Sequence, residues 1–282
     1  VKTSESIESF IKERVDTRSR FGLYDLDQIV SVHAHDLICL AGRQKVGKTS
    51  IALFWTLKWI REGKTIAYFS NEMRRESILC KMAGQQMGMP TQDIMEGNIS
   101  ADDMARLKVW IAELESHDFR IYDGGEGRDS MGIATKYHKA NPQKKPDIII
   151  IDNLHQLTSS DPRIPRHEHV RNFCQEMRLL TTTNPVAVIM VCHCNRDVKN
   201  NKFAIPTMFN IAESDSIGRD VDIALLLSWP WKELQRIPQE ERQGKYTENQ
   251  FFVNVGANRY GPDGLVELSV DPVRGTFGSK LS

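Results

Sequence analysis

Several features that would mark a membrane, secreted or fibrous chain are missing from this sequence. No apolar run approaches the ~20 residues that a membrane-spanning helix needs, so a soluble chain with no membrane partner is expected. Cysteine is sparse and odd in number, with five residues at Cys39, Cys80, Cys174, Cys192 and Cys194. They are scattered, several inside apolar segments, which fits reduced, buried thiols better than a disulfide framework. The first twenty residues are charged and lack the apolar core of a secretory signal. Ser279-Lys280-Leu281 is not a terminal peroxisomal tag, because Ser282 follows it.

Neither sign of charge is in excess. Lys+Arg and Asp+Glu both number 37. A strongly basic footprint is therefore absent, and any nucleic-acid contact must come from a local patch. With 11 Pro, 18 Gly, 40% hydrophobic and 26% charged residues, the composition excludes a collagen-like, low-complexity or wholly disordered chain. At 282 residues, the prior of ~150 per domain gives one large domain or two small ones. The chain begins at Val1 rather than Met, which leaves an upstream domain open.

What is present is an alternation of short apolar runs with longer helical patterns. Ile7, Phe10, Ile11 and Val15 recur at helical spacing and predict a helix over Ser4–Val15. Strands are expected at Leu37–Ala41, Thr65–Phe69, Phe119–Tyr122, Asp147–Ile151, Ala187–Cys192, Ile223–Leu227, Phe251–Val255 and Leu265–Val270. Helices are expected at Lys48–Arg61, Arg74–Met87, Ala101–Glu115, Ser130–Ala140, Glu168–Thr182 and Ser214–Val221. Strands separated by helices imply an α/β fold with a mostly parallel sheet covered on both faces. The last two strands are close together and predict an antiparallel edge hairpin.

Gly42-Arg43-Gln44-Lys45-Val46-Gly47-Lys48-Thr49 fits G-x-x-x-x-G-K-[ST] between a strand and a helix, and Ser50 continues it. The glycines let the backbone wrap phosphate oxygens, and the helix N-terminus favours the anion. Lys48 is expected at the β- and γ-phosphates and Thr49 at Mg²⁺. Asp152, ending the run Asp147–Ile151, is the expected second partner of Mg²⁺. Glu72, just past Thr65–Phe69, is the candidate general base; the bland alternative is a helix N-terminal charge. His193, at the end of Ala187–Cys192, is a candidate γ-phosphate sensor, against a packed histidine as the alternative. Cys192-His193-Cys194 suggests zinc, but adjacent strand residues point to opposite faces and no second close Cys pair exists. His167-Glu168-His169 is better explained as a helix N-terminal turn.

Taken together, these pieces resemble the RecA-like motor of hexameric replicative helicases: DnaB, the phage helicase–primases and Twinkle. Phe69-Ser70-Asn71-Glu72-Met73 resembles that family's F-S-x-E-M, and Ile150-Ile151-Asp152-Asn153-Leu154 its Walker B run. Glu213-Ser214-Asp215-Ser216-Ile217-Gly218-Arg219-Asp220-Val221-Asp222 is similar to E-S-G-x-I-x-Q-D-A-D, and Asn258-Arg259-Tyr260-Gly261-Pro262-Asp263-Gly264 to the terminal hairpin motif. The resemblance spans roughly residues 20 to 272. It implies a RecA-like P-loop NTPase with a twisted, mostly parallel sheet and an antiparallel C-terminal hairpin. It also implies ATP or another NTP or dNTP with Mg²⁺, 5′→3′ movement on single-stranded DNA, and a homo-hexameric ring. Primase and polymerase are the further partners it suggests. A bacterial or phage-infected cytoplasm, or an organellar matrix, is the implied location.

By the same resemblance Arg259 is an arginine finger acting on the neighbouring subunit's γ-phosphate. The chain departs from the pattern at Ala257, where a lysine is common, at Arg219 for Gln, and at Asp215 for Gly. Loops that line the central channel of related motors fall here on Asp161–Arg171 and Asn195–Phe209. The second, with Arg196, Lys199, Asn200 and Lys202, is the expected main DNA contact. Residues 1–19 are expected to form a linker helix, packing on a neighbour or on its own domain, and 20–282 the motor. Two other readings stand beside the helicase: a RecA-type recombinase filament, and a nucleotide-gated loader or scaffold that does not unwind.

Overall fold

Ile148–Ile151 is apolar at every position, and it meets two cores at once. Ile148 and Ile150 enter one, Ile149 and Ile151 the other. Such double burial is what a central parallel strand requires. The computed structural model describes residues 3–157, 163–195, 205–211, 214–235 and 246–280. Among the described residues nine strands form one sheet. They are β1 (Leu37–Gly42), β2 (Ile66–Ser70), β3 (Phe119–Tyr122), β4 (Ile148–Asp152), β5 (Ala187–His193), β6 (Ile223–Ser228), β7 (Gln250–Asn258), β8 (Gly264–Asp271) and β9 (Thr276–Ser279). The order is β3-β2-β4-β5-β1-β6-β7-β8-β9. Pairing is parallel from β3 to β6 and antiparallel from β6 to β9.

The helices are α1 (Thr3–Asp16), α2 (Tyr24–Asp27), α3 (Lys48–Arg61), α4 (Arg75–Met87), α5 (Thr91–Glu96), α6 (Ala101–Glu115), α7 (Ser130–Lys139), α8 (Arg166–Thr183), α9 (Ser214–Asp220) and α10 (Pro230–Leu234). Residues of α3, α4 and α6 cover one face of the sheet, and those of α7, α8 and α9 the other. On the first face Phe21, Trp55 and Trp59 form an aromatic cluster, with Phe21 and Trp55 centroids 4.6 Å apart.

Every expected strand is present. The C-terminal hairpin gains a third antiparallel strand, β9, whose Thr-Phe-Gly-Ser run is too short to show alternation. Helices α2, α5 and α10, of four, six and five residues, were not expected, being too short for a helical period. Helix α1 has no buried residue, and Ile7, Phe10, Ile11 and Val15 are 55%, 50%, 56% and 60% exposed. Its last turn touches the body through Arg14, which pairs with Asp36 at 3.3 Å and lies over Tyr260, 4.3 Å from the ring centroid.

The register gathers one edge. Gly42 aligns with His193, Ser70 with Asp152, and Asp152 with Val191. The C-terminal ends of β1, β2, β4 and β5 therefore open together, where an α/β sheet places its ligand crevice.

Candidate active site

Between β1 and α3 the chain must turn sharply, and two glycines permit it. Gly47 has φ +106°, which side-chain-bearing residues rarely adopt. A Cβ on Gly42 would sit 2.8 Å from Val46 Cγ1 and 3.2 Å from Leu227. Helix α3 opens at Lys48, so its first N–H groups, which lack intrahelical partners, face the edge defined above.

Lys48 is buried. Its Nζ donates to the carbonyls of Gly42 (3.0 Å) and Arg43 (2.9 Å) and lies 3.5 Å from His193 Nδ1. Burial lowers its pKa, and the carboxylate of Asp152 opposes that shift. Asp152 is 5% exposed, and its Oδ2 accepts from the hydroxyls of Thr49 and Tyr68, each at 2.7 Å. Burial raises its pKa, while Thr49, Tyr68 and Lys48 act in the other direction. An acid and a base buried side by side moderate one another's desolvation, as burial of charge requires.

Glu72 is exposed to the cleft and held from behind. Asn153, 3% exposed, donates from Nδ2 to Glu72 Oε2 at 2.8 Å. Asn71 joins the exits of β2 and β4, its backbone N–H donating to Asp152 O at 2.7 Å and its side chain to Asn153 O at 3.2 Å. His193 packs edge-on against His155, centroids 4.8 Å apart. Burial first, then Lys48 and His155, lowers the His193 pKa to about 4, so the ring is neutral at pH 7. Lys48, Thr49, Glu72, Asp152, Asn153, His155 and His193 line one cleft of about 550 Å³, together with Lys81 and Lys232. A second cavity of about 420 Å³ adjoins it, sharing Gly47, Ser50, Lys81 and Lys232.

The structure thus brings Lys48, Thr49, Asp152, Glu72 and His193 together as expected. Within the loop, Gln44, Lys45 and Gly47 line the cleft, while Val46 turns into the core. Arg43 departs from the expectation: its guanidinium pairs with Glu233 of α10, leaving its carbonyl to meet Lys48. Arg166, expected on a loop, belongs to α8, as does Arg171, which the expected helix Glu168–Thr182 already included. Arg166 donates to Leu154 O at 2.9 Å and Arg171 pairs with Glu168, so neither is a plain loop cation. Arg196, Lys199, Asn200 and Lys202 lie outside the described residues. Tyr68, Asn153 and His155 were not singled out from sequence. A hydroxyl inside the otherwise apolar β2 was the one signal pointing to Tyr68.

Arg259 is far from this cleft. Its backbone N–H donates to Asp222 O at 2.9 Å, at the opposite edge of the sheet, where β6 begins. Its guanidinium is 3.3 Å from Asp222 Oδ1 and donates to Arg219 O at 3.0 Å. Gly256 is the extra residue of a bulge in β7 where it pairs with β6, shortly before Arg259.

The chain is 26% identical over 275 residues to the replicative DNA helicase DnaC of Bacillus subtilis (strain 168), covering 95% of this chain and 58% of that protein. It is 26% identical over 253 residues to the replicative DNA helicase DnaB of Geobacillus stearothermophilus, covering 88% and 53%. It thus spans little more than half the length of these relatives. Among solved structures, a DnaB-like replicative helicase, solved in a study of its interactions with primase, superposes with a TM-score of 0.84 at 20% identity, covering 99% of this chain and 68% of that one. A second solved structure, of an ATPase domain, gives 0.83 at 20% identity, covering 99% and 98%. The model of the DnaB-like helicase C terminal domain matches residues 20–279, and the chain belongs to that family.

Proposed function

We propose that this chain is the NTP-hydrolysing motor of a replicative DNA helicase, moving 5′→3′ on single-stranded DNA as a homo-hexameric ring and unwinding duplex. The observation that carries the reading is the separation of Arg259 from its own phosphate cradle, which leaves its guanidinium to act on the site of a neighbouring copy. Family membership points the same way.

The substrate is ATP or another nucleoside triphosphate. Its phosphates fit the loop 42–49, and its nucleoside fits the adjoining cavity. Mg²⁺ prefers hard oxygen donors, and Thr49 Oγ1 and Asp152 provide them 2.7 Å apart. When bound it neutralises charge on the β- and γ-phosphate oxygens. Lys48 stabilises the same oxygens. Glu72, oriented by Asn153, takes a proton from the attacking water. His193, neutral and beside Lys48, responds to loss of the γ-phosphate. The segment following β5 carries that response to DNA through Arg196, Lys199, Asn200 and Lys202. Its base is closed by the Asn195 N–H donating to Asn210 O at 2.7 Å.

Residues 20–282 form the motor and 1–19 its linker helix. The exposed apolar stripe of α1 docks on the next copy, where an apolar pocket among α4, α5, α6 and β3, lined by Leu79, Ile94, Leu107 and Trp110, offers a receiving surface. Primase and polymerase are the further partners.

NTPase assays with and without single-stranded DNA, run beside unwinding of a forked duplex and a native mass measurement, test this reading. DNA-stimulated hydrolysis, strand separation and a six-fold mass are expected. DNA-independent turnover without unwinding, or open filaments, would overturn it.

A further inference from the structure

Asp222 stands one residue before β6, is 1% exposed, and collects donors from three elements. Leu37 N–H of β1 donates to Oδ2 at 2.9 Å. Arg178 of α8 spans the carboxylate, with Nη2 to Oδ1 at 3.0 Å and Nη1 to Oδ2. Arg259, at the end of β7, adds Nη1 at 3.3 Å from Oδ1.

These contacts are unequal. A carboxylate buried this deeply needs a matched partner, and removing that partner strands a buried charge. The fork of Arg178 is the matched partner, because two parallel bonds fit guanidinium to carboxylate. Arg259 makes one longer contact to the carboxylate and one neutral hydrogen bond, to Arg219 O at 3.0 Å, and its side chain is 47% exposed, against 24% for Arg178. Arg259 is therefore the surplus cation. It can leave Asp222 while Arg178 and Leu37 still satisfy the carboxylate. Its backbone stays fixed meanwhile by the bond to Asp222 O.

We propose that Arg178 and Asp222 are positioning residues for Arg259: a charge-balanced post that aims the guanidinium outward and releases it to the triphosphate of a second copy. This rests on reading Arg259 as the cation supplied across the seam. Without Arg178, Arg259 becomes the sole cation for a buried carboxylate and is retained in its own subunit.

The test is a cycle of Arg178→Gln and Arg259→Ala, singly and together, in the full chain, with single-stranded DNA present. Turnover, nucleotide KM and thermal melting are read for each. Arg178→Gln is expected to lower kcat about tenfold at unchanged KM, and to add no loss of kcat in the Arg259→Ala background. Arg178→Lys keeps the charge without the fork and is expected to lose roughly threefold, again only when Arg259 is present. It serves as the readout if Arg178→Gln does not fold. Equal losses in both backgrounds, or full turnover in both Arg178 variants, would overturn the post. Wild-type turnover in Arg259→Ala alone would instead overturn the underlying reading of Arg259.

Discussion

Arg259 and Gly42 lie at opposite edges of the sheet, one beside the start of β6 and the other beside its end. Asn258 pairs with Ile223 and Ile223 with Ile38, whereas Gly42 pairs with Leu227. From Ile38 to Gly42 the strand advances ~13 Å, and Arg259 lies one residue further out still. No rotamer of Arg259 closes that span to its own cradle. Replacing it with Ala should lower kcat roughly 10²–10³-fold while leaving nucleotide affinity nearly intact, since the finger acts on developing charge. Steady-state kinetics beside a binding titration check this.

Lys48→Ala should abolish hydrolysis to the limit of detection, because the one buried ammonium at the cradle is lost. The variant should still fold. Asp152 loses its neighbouring cation, so the melting temperature should drop, but Thr49 and Tyr68 still donate to its carboxylate. Circular dichroism and the NTPase assay together read both outcomes.

Tyr68→Phe tests the support of Asp152. The ring remains packed, but one of two hydroxyl donors to a buried carboxylate is lost. A loss of about 1–3 kcal/mol is expected in urea unfolding, together with a higher Mg²⁺ requirement for turnover.

Asn153→Ala should act on rate through Glu72. Glu72→Gln removes the base itself and should cost ~10²–10⁴ in kcat. Asn153→Ala leaves the base but frees its side chain, so a smaller loss is expected, with no further loss when combined with Glu72→Gln. Single-turnover kinetics of the two variants and their combination decide it.

Acid should remove the stabilising contribution of His33. Burial and the neighbouring Arg14 lower its pKa to about 4, as burial and Lys48 do for His193. The unfolded chain then binds more protons than the folded one between pH ~6.5 and ~4, so stability falls as pH drops through that window. Asp36, raised by burial to about 6, contributes the opposite slope above its unfolded value. Burial also raises the pKa of Asp27 and Asp152, which adds to that opposite slope, so substitution of His33 is what isolates its own contribution. In the neutral ring, Nδ1–H can donate to Arg14 O at 2.6 Å while Nε2 accepts from Ser31 Oγ at 3.0 Å. Relative to wild type, His33→Gln should lower the urea midpoint at pH 7 and lose less of it between pH 7 and pH 5.

Much of this was legible in the sequence. Leu37–Gly42 and Ile148–Asp152 read as buried strands because their apolar runs are unbroken. Lys48, Thr49, Asp152 and Glu72 read as a cluster because each falls at a strand end or a helix start, and parallel strands align those ends. What was not legible depends on contacts between residues distant in sequence. Asp222 closes the motif of residues 213–222, but its tie to Arg178, 44 residues away, appears only when the fold joins α8 to the start of β6. Asn153 could be read as part of a motif, but its grip on Glu72, 81 residues away, could not. Arg43 reads as part of the cradle, and only the position of Glu233 shows its side chain turned aside.

The central claim is that each active site is completed by two copies of the chain, and subunit mixing tests it most directly. Lys48→Ala chains keep a finger but lack a working cradle; Arg259→Ala chains keep the cradle but lack the finger. Each assembly alone should be nearly inert. Mixed before assembly, roughly a quarter of the seams should pair an intact cradle with an intact finger, and DNA-stimulated hydrolysis should reappear. Mixtures no more active than their components, with co-assembly confirmed by native mass, would contradict the account.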